Sequence, residues 1–241
     1  MFTKGLTVLG TPANASEDVG ALPEVAAAWV QGWTLSRATE SPVAVPGGYR
    51  IDVGLSGHLI RYVLPRFDPA ALRRLTREPL APGTWLKVCA KVETVAAVLP
   101  TGWLVKDPEY MMTVSLRSAE FSMPTGYALR VTTQGAVTDA EVLGADEQIA
   151  ARGRIARTGS FAIVDQVETH PSHRRRGLGS RVMNALGHYA AIQGTRTGVL
   201  VATRDGLGLY HSLGWTLHAP VTAAVFRPEE AAYSAGCSGP V

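Results

Sequence analysis

The stretch FAIVDQVETHPSHRRRGLGSRVMNALGHY, Phe161 to Tyr189, decides how the rest of the chain is read. Phe161, Ile163 and Val167 read as the apolar positions of a strand, and Leu178, Val182, Leu186 and Tyr189 as one face of a helix. Between them lies Arg174-Arg175-Arg176-Gly177-Leu178-Gly179. A tight basic turn that opens a helix leaves backbone N–H groups unpaired along the positive end of the helix dipole, which makes an anion site. Glycines at 177 and 179 let the main chain approach a phosphate without Cβ interference, and the arginines raise the local potential, so a pyrophosphate is the expected ligand. The plainer reading is a strand-to-helix loop with solvated arginines. A Rossmann turn needs a third glycine and an acidic residue after the next strand, and a Walker turn needs Gly-Lys-Ser/Thr; neither is present.

The chain has 241 residues, 46% apolar and 18% charged, enough for one large domain or two small ones of a soluble globular protein. No run approaches the ~20 apolar residues that span a bilayer, and the first 20 residues carry one lysine and no sustained apolar core, so neither a membrane partner nor a secretory signal is expected. Cys89 lies in an apolar strand and Cys237 in a Gly/Ser/Pro tail. No disulfide or metal site is therefore expected, and a reducing cytoplasm fits. Of the net charge of +3, much sits at Arg174 to Arg176 and Arg181. That suits a local phosphate site rather than a nucleic-acid footprint.

Residues 1–20 read as a flexible tail and 228–241 as another. A helix begins at Pro23, with Leu22, Val25, Ala26, Trp29 and Trp33 on one face; Glu40 to Gly48 reads as a loop. Tyr49–Val53 and His58–Leu64 form a hairpin, Asp68 caps a helix, and Trp85–Ala90, Glu93–Leu99, Trp103–Lys106 and Tyr110–Leu116 read as strand, helix, strand, strand. The second half repeats that order. Tyr127–Thr132, a hairpin around Gly144 and Phe161–Thr169 lead to the arginine turn. Then come the helix to about Ile192, an apolar strand Gly198–Ala202, a helix capped by Asp205, and strands Trp215–Leu217 and Val221–Phe226. Aligning Ala90 with Ala202, an offset of 112, lays Gly102-Trp103 on Gly214-Trp215 and Pro108 on Pro220, an internal pseudo-repeat.

The arginine turn after Thr169-His170-Pro171 resembles the acyl-CoA-binding motif of the GNAT superfamily of N-acetyltransferases, Arg/Gln-x-x-Gly-x-Gly/Ala, at Arg174, Gly177 and Gly179. Leu209-Tyr210-His211-Ser212-Leu213-Gly214-Trp215 is similar to a second stretch of that family. The resemblance covers about residues 125–227. It implies an α/β fold of tandem GNAT-like halves, two mixed sheets flanked by helices, with a degenerate half at 22–120 that has lost cofactor binding and a catalytic half at 125–227.

It also implies acetyl-CoA as co-substrate. Val167, Glu168 and Thr169 would run beside the pantetheine arm, Arg175, Arg176, Gly177, Leu178, Gly179 and Ser180 would hold the diphosphate, and Arg174, at the head of the motif, would be a further cofactor-binding residue. Thr203 stands where many members carry a cofactor-contacting asparagine. Tyr210 would be the general acid toward sulfur, and the Thr169 N–H would donate to the thioester oxygen. Strand alternation puts Asp165 on the face of Ile163, Val167 and Thr169, with Glu168 pointing away unless a bulge intervenes, so Asp165 is the expected general base. His170 and His211 adjoin motif positions as partly exposed side chains.

Gly198 replaces an acid seen in some peptide-acetylating members. The helices that usually separate the family's first two strands are compressed into Thr133–Asp139, so the first half is expected to replace the missing wall. The leading expectation is an N-acetyltransferase acting on the primary amine of a small molecule by direct attack in a ternary complex. The alternatives are a protein or peptide N-acetyltransferase and a non-catalytic acyl-CoA sensor.

Overall fold

The computed structural model describes residues 21–118 and 121–228; both expected tails, apart from Pro228, lie outside the described residues, as does Cys237. In chain order the first half contains α1 (Leu22–Arg37), β1 (Val43–Val45), β2 (Gly48–Leu55), β3 (His58–Leu64), α2 (Pro69–Arg77), β4 (Thr84–Val88), α3 (Val92–Ala96), β5 (Trp103–Val105) and β6 (Glu109–Ser115). The second half contains β7 (Ala128–Gln134), β8 (Val137–Leu143), β9 (Ile149–Thr158), β10 (Phe161–Thr169), α4 (Leu178–Ile192), β11 (Thr197–Ala202), α5 (Leu207–Ser212) and β12 (Thr216–Phe226). This is a mixed α/β fold, and from β3 and from β10 onward the halves share the order strand, helix, strand, short helix, with two closing strands in the first half and one long one in the second.

The two expected sheets are joined edge to edge. The strands run in the order β1-β2-β3-β4-β12-β6-β11-β10-β9-β8-β7, with β5 beside β12. The expectation of two separate closing strands, Trp215–Leu217 and Val221–Phe226, is corrected here. They form one strand of 11 residues, interrupted only by a bulge between Leu217 and Ala219. Its first part pairs with β6, a strand of the first half, and its last part pairs with β4 and β5. In return β6 lies between β11 and β12, inside the second half.

The exchange is symmetric to the residue. Leu104 pairs with Val225 and Thr216 with Thr113, and the offset of 112 carries Leu104 onto Thr216 and Thr113 onto Val225. β10 and β11 run parallel, as do β3 and β4, while each step from β4 through β12 and β6 to β11 is antiparallel. The starts of β3, β4 and β6 therefore lie at the same end of the sheet as the finishes of β10 and β11.

Helices cover both faces. α4 buries Leu178, Val182, Met183 and Leu186 against Ala151, Ile155, Val164 and Leu200. α2 and α3 cover the same role in the first half, where Leu72 and Val95 pack on Leu64, Leu86 and Val88. On the opposite face, α1 of the first half lies under the second half, with Val25, Ala26, Trp29 and Trp33 against Ile163, Val199 and Met111, as the apolar stripe implied. Each Val, Leu, Ile or Met side chain among these contributes about 1.5–3 kcal/mol on burial. Thr133–Asp139 is a tight turn at Gly135 between β7 and β8, without helices. α1 occupies the face that this leaves bare.

Two smaller expectations change. Asp205 does not cap a helix: it lies inside a 3₁₀ turn, Arg204–Gly206, whose N-cap is Thr203. Glu40–Gly48 is not all loop, because Val43–Val45 pairs with Gly48–Arg50 as an edge hairpin.

The docking of α1 rests on Gly32, where an added Cβ would sit 2.6 Å from the Ile163 side chain. Alanine is the better helix former by about 1 kcal/mol, yet Gly32→Ala is expected to destabilise the protein by about 1–3 kcal/mol through overpacking. Urea unfolding measures this, and a rise in midpoint would mean that α1 packs elsewhere.

Candidate active site

The arginine turn is tightly curled at the head of α4. Gly177 is the N-cap of α4 at φ 74° and Arg175 is left-handed at φ 61°, a curled main chain of the kind that can gather N–H groups around an anion. No side chain caps α4. Among the described residues the N–H groups of Arg175 to Ser180 have no acceptor in the protein. The Leu178 side chain is buried beneath the turn and anchors it.

Of the three arginines, two are fixed. Arg174 Nε donates to the Thr169 carbonyl at 3.3 Å, and Arg176 Nη1 donates to the Tyr127 hydroxyl at 2.9 Å, which meets His173 Nδ1 at 3.0 Å. Arg175 has no side-chain partner among the described residues. The same position in the first half is closed: Asp68 Oδ1 accepts from the N–H groups of Ala70 and Ala71 at 2.8 and 3.1 Å. That carboxylate consumes the donors of α2 and sets a negative charge where an anion would lie.

β10 and β11 hold together only at Phe161–Ile163 against Thr197–Val199, after which β10 continues to Thr169 with no β11 ladder. The resulting split opens toward the arginine turn. A cleft of about 600 Å³ at this end is lined by Ile149–Arg152, Val167–Pro171 and Arg174. Tyr210 stands across the split on α5, its ring 6.2 Å from that of Trp215 and folded over Gly206. Its hydroxyl has no partner among the described residues. Burial, and then the charge of Asp165, push its pKa above the ordinary phenol value and keep it protonated. Thr203 is exposed at the end of β11, and its hydroxyl caps nothing. Gly198 has no room for an acid: a Cβ there would meet the Trp215 ring at 2.8 Å.

Asp165 departs from expectation. A bulge in β10 sets Gln166, at φ 56°, out of register between Asp165 and Glu168. One extra residue reverses the alternation. Val167 and Thr169 turn toward α4, where Val167 joins the core and the Thr169 hydroxyl lies near Gly179, while Asp165 and Glu168 share the other face with Arg152 and Arg154. Asp165 Oδ2 accepts from Arg37 Nε at 2.5 Å and Ser36 Oγ at 2.7 Å, and Oδ1 from Arg37 Nη2 at 2.8 Å. Burial alone would raise this carboxyl; the hydrogen bonds from Arg37 and Ser36 outweigh it and hold the group below its ordinary value. A carboxylate so occupied is a weak base. In this structure Asp165 is a clamp on the end of α1. Glu168 is exposed and paired with Arg152 at 2.8 Å. His170 meets Ser172 across 2.8 Å, and His211 is exposed.

The clamp leads into a cluster that sequence reasoning missed. Trp33, one turn before Arg37 on α1, carries the Arg61 guanidinium 3.9 Å from its ring centroid and that of Arg37 at 5.6 Å. Arg61 Nε donates to His58 Nε2 at 3.2 Å, and Lys87 donates to Glu109. His58 and Arg61 sit on β3, Lys87 near the end of β4 and Glu109 at the start of β6, so the cluster lies where the two halves meet across β12. The only sign in the sequence was a lone arginine among inward-facing apolar positions of His58–Leu64.

Residues 138–217 match the family model described as an acetyltransferase (GNAT) domain. That segment, about a third of the chain, is what is similar to such a domain. The whole fold is similar to a GCN5-related N-acetyltransferase from Kribbella flavida, with TM-score 0.62, 17% identity, and coverage of 86% of this chain and 96% of that one. A GNAT-family structure from Novosphingobium aromaticivorans gives TM-score 0.57 at 20% identity, covering 85% and 98%. A tandem GNAT protein from the clavulanic acid biosynthesis pathway gives 0.50 at 12%, covering 66% and 68%. At such identities the likeness is one of fold. No curated protein matches the chain.

His58 supplies a pH test. Burial, then Arg61, Lys87 and Arg37, lower its pKa to about 4. Between the ordinary histidine value near 6.5 and about 4 the unfolded chain binds a proton that the folded one refuses, so stability falls as pH drops through that window. Denaturant midpoints measured from pH 7.5 to 4 should slope accordingly, and His58→Gln should flatten the slope.

Proposed function

We propose that the protein is an acetyl-CoA-dependent N-acetyltransferase that acts on the primary amine of a small molecule by direct attack in a ternary complex. The observation that carries this reading is the uncapped N-terminus of α4, with its unpaired N–H groups, at the mouth of the split between β10 and β11. The diphosphate of acetyl-CoA would lie on the N–H groups from Arg175 to Ser180. The pantetheine arm would run along the open edge of Val167, Glu168 and Thr169, with Thr203 beside it. The first half, closed to phosphate by Asp68, serves as a wall for the acceptor through α1.

The acceptor amine enters as the free base and attacks the thioester carbon, forming the C–N bond. The carbonyl oxygen gains negative charge in the tetrahedral intermediate, where the Thr169 N–H is the donor. Collapse breaks the C–S bond, and the leaving thiolate takes the proton of Tyr210. The ammonium proton of the new amide leaves to water in the open cleft, since Asp165 is already occupied by Arg37 and Ser36. Tyr210 is then reprotonated from solvent.

Isothermal titration with acetyl-CoA should give saturable binding at one site. Gly177→Val forces a β-branched residue to φ 74°, and it should weaken that binding by about tenfold or more. Tyr210→Phe should lower kcat by on the order of 10²–10⁴ with the acetyl-CoA Kd unchanged, as thiol release would read. Full turnover in Tyr210→Phe would remove its role as acid, and an absence of binding heat in the native protein would remove the reading itself.

A further inference from the structure

Arg61 is 8% exposed, and its charge has no hydrogen-bonded carboxylate. Its Nε is held by a neutral histidine, its face by an indole, and its Nη1 and Nη2 by no acceptor among the described residues. Burying a cation without an anion is costly, and a guanidinium so placed is a ready fork for a planar anion. The two carboxylates of the neighbourhood are engaged elsewhere, Glu109 by Lys87 and Asp165 by Arg37. Arg37, Arg61 and Lys87 against Asp165 and Glu109 leave one positive charge in surplus. A single negative charge balances it, whereas a doubly charged phosphate would overshoot.

The location gives this imbalance a meaning. Arg61 and Arg37 stand on the same Trp33 ring, and Arg37 clamps Asp165 at the bulge whose far side is the acyl edge. The Asp165 charge is felt by Tyr210 across the split. An unpaired guanidinium therefore sits at the junction of the halves, on the α1 side of β10.

We propose that the acceptor is an amino acid-like molecule, bearing a carboxylate as well as the amine, and that Arg61 on Trp33 seats that carboxylate. The proposal rests on the acetyltransferase reading for the fate of the amine, but the anion seat itself does not. Arg61 is a binding residue of the first half, so the half without a phosphate cradle sets the choice of acceptor.

The test uses the native full chain and a panel of amino carboxylates with amine-to-carboxylate spacings from α to ω, each paired with its carboxamide. Binding is measured by calorimetry without acetyl-CoA, and transfer by thiol release with it. At least one amino carboxylate should bind and react on the order of 100-fold better than its carboxamide. Arg61→Met should erase that ratio through KM with kcat little changed, Arg61→Lys should retain part of it, and the acetyl-CoA Kd should stay the same in both. Equal treatment of every pair by the native protein, which needs no variant to fold, overturns the proposal, as does a ratio preserved in Arg61→Met. Turnover of amines with no carboxylate preference would leave the acetyltransferase reading standing without the seat. A carboxylate preference without acetyl-CoA binding would leave the seat standing without that reading.

Discussion

Everything in this molecule hangs on β12 being one strand. Its first residues complete the second half beside β6, and its last residues complete the first half between β4 and β5. A strand that satisfies backbone groups in two halves at once ties their stabilities together, because neither sheet can open without orphaning the N–H and C=O groups of the other. The reciprocal place of β6 doubles the tie. The halves are therefore a fused pair and not beads on a linker, and the groups that face their junction are held as firmly as a core.

Two helices divide the labour around β10. α4 packs on one face and presents an uncapped N-terminus, while α1 arrives on the other from the far end of the chain and ends in Ser36 and Arg37 on Asp165. The bulge at Gln166 makes this possible. Before it, odd-numbered side chains face α1; after it, Val167 and Thr169 face α4. The uncapped end of α4 and the Arg37–Asp165 clamp thus lie on opposite sides of one strand.

Much of this was legible in the residues. The arginine turn, the buried strand at Gly198–Ala202, the stripe of α1 and the repeat at an offset of 112 are local or periodic signals, and each stands in the fold. What the sequence hid was long-range. Nothing between Leu217 and Val221 says that two apolar runs are one strand, since Pro220 and His218 look like a break and the partners that keep the strand extended lie more than a hundred residues away. The bulge was equally silent, and with it the faces of Asp165 and Glu168, because a two-residue period holds only while no residue is inserted. Arg61 reads as a blemish in a strand until Trp33 is seen above it.

The crossed strands also set an order of events at birth. β6 leaves the ribosome with Met111 and Met112 bare, about a hundred residues before its neighbours in β11 and β12 exist. At ordinary synthesis rates that interval is roughly 5–20 s. For that time β6 has neither of its strand neighbours, and both lobes stay open along that edge until the final segment emerges and zips them shut.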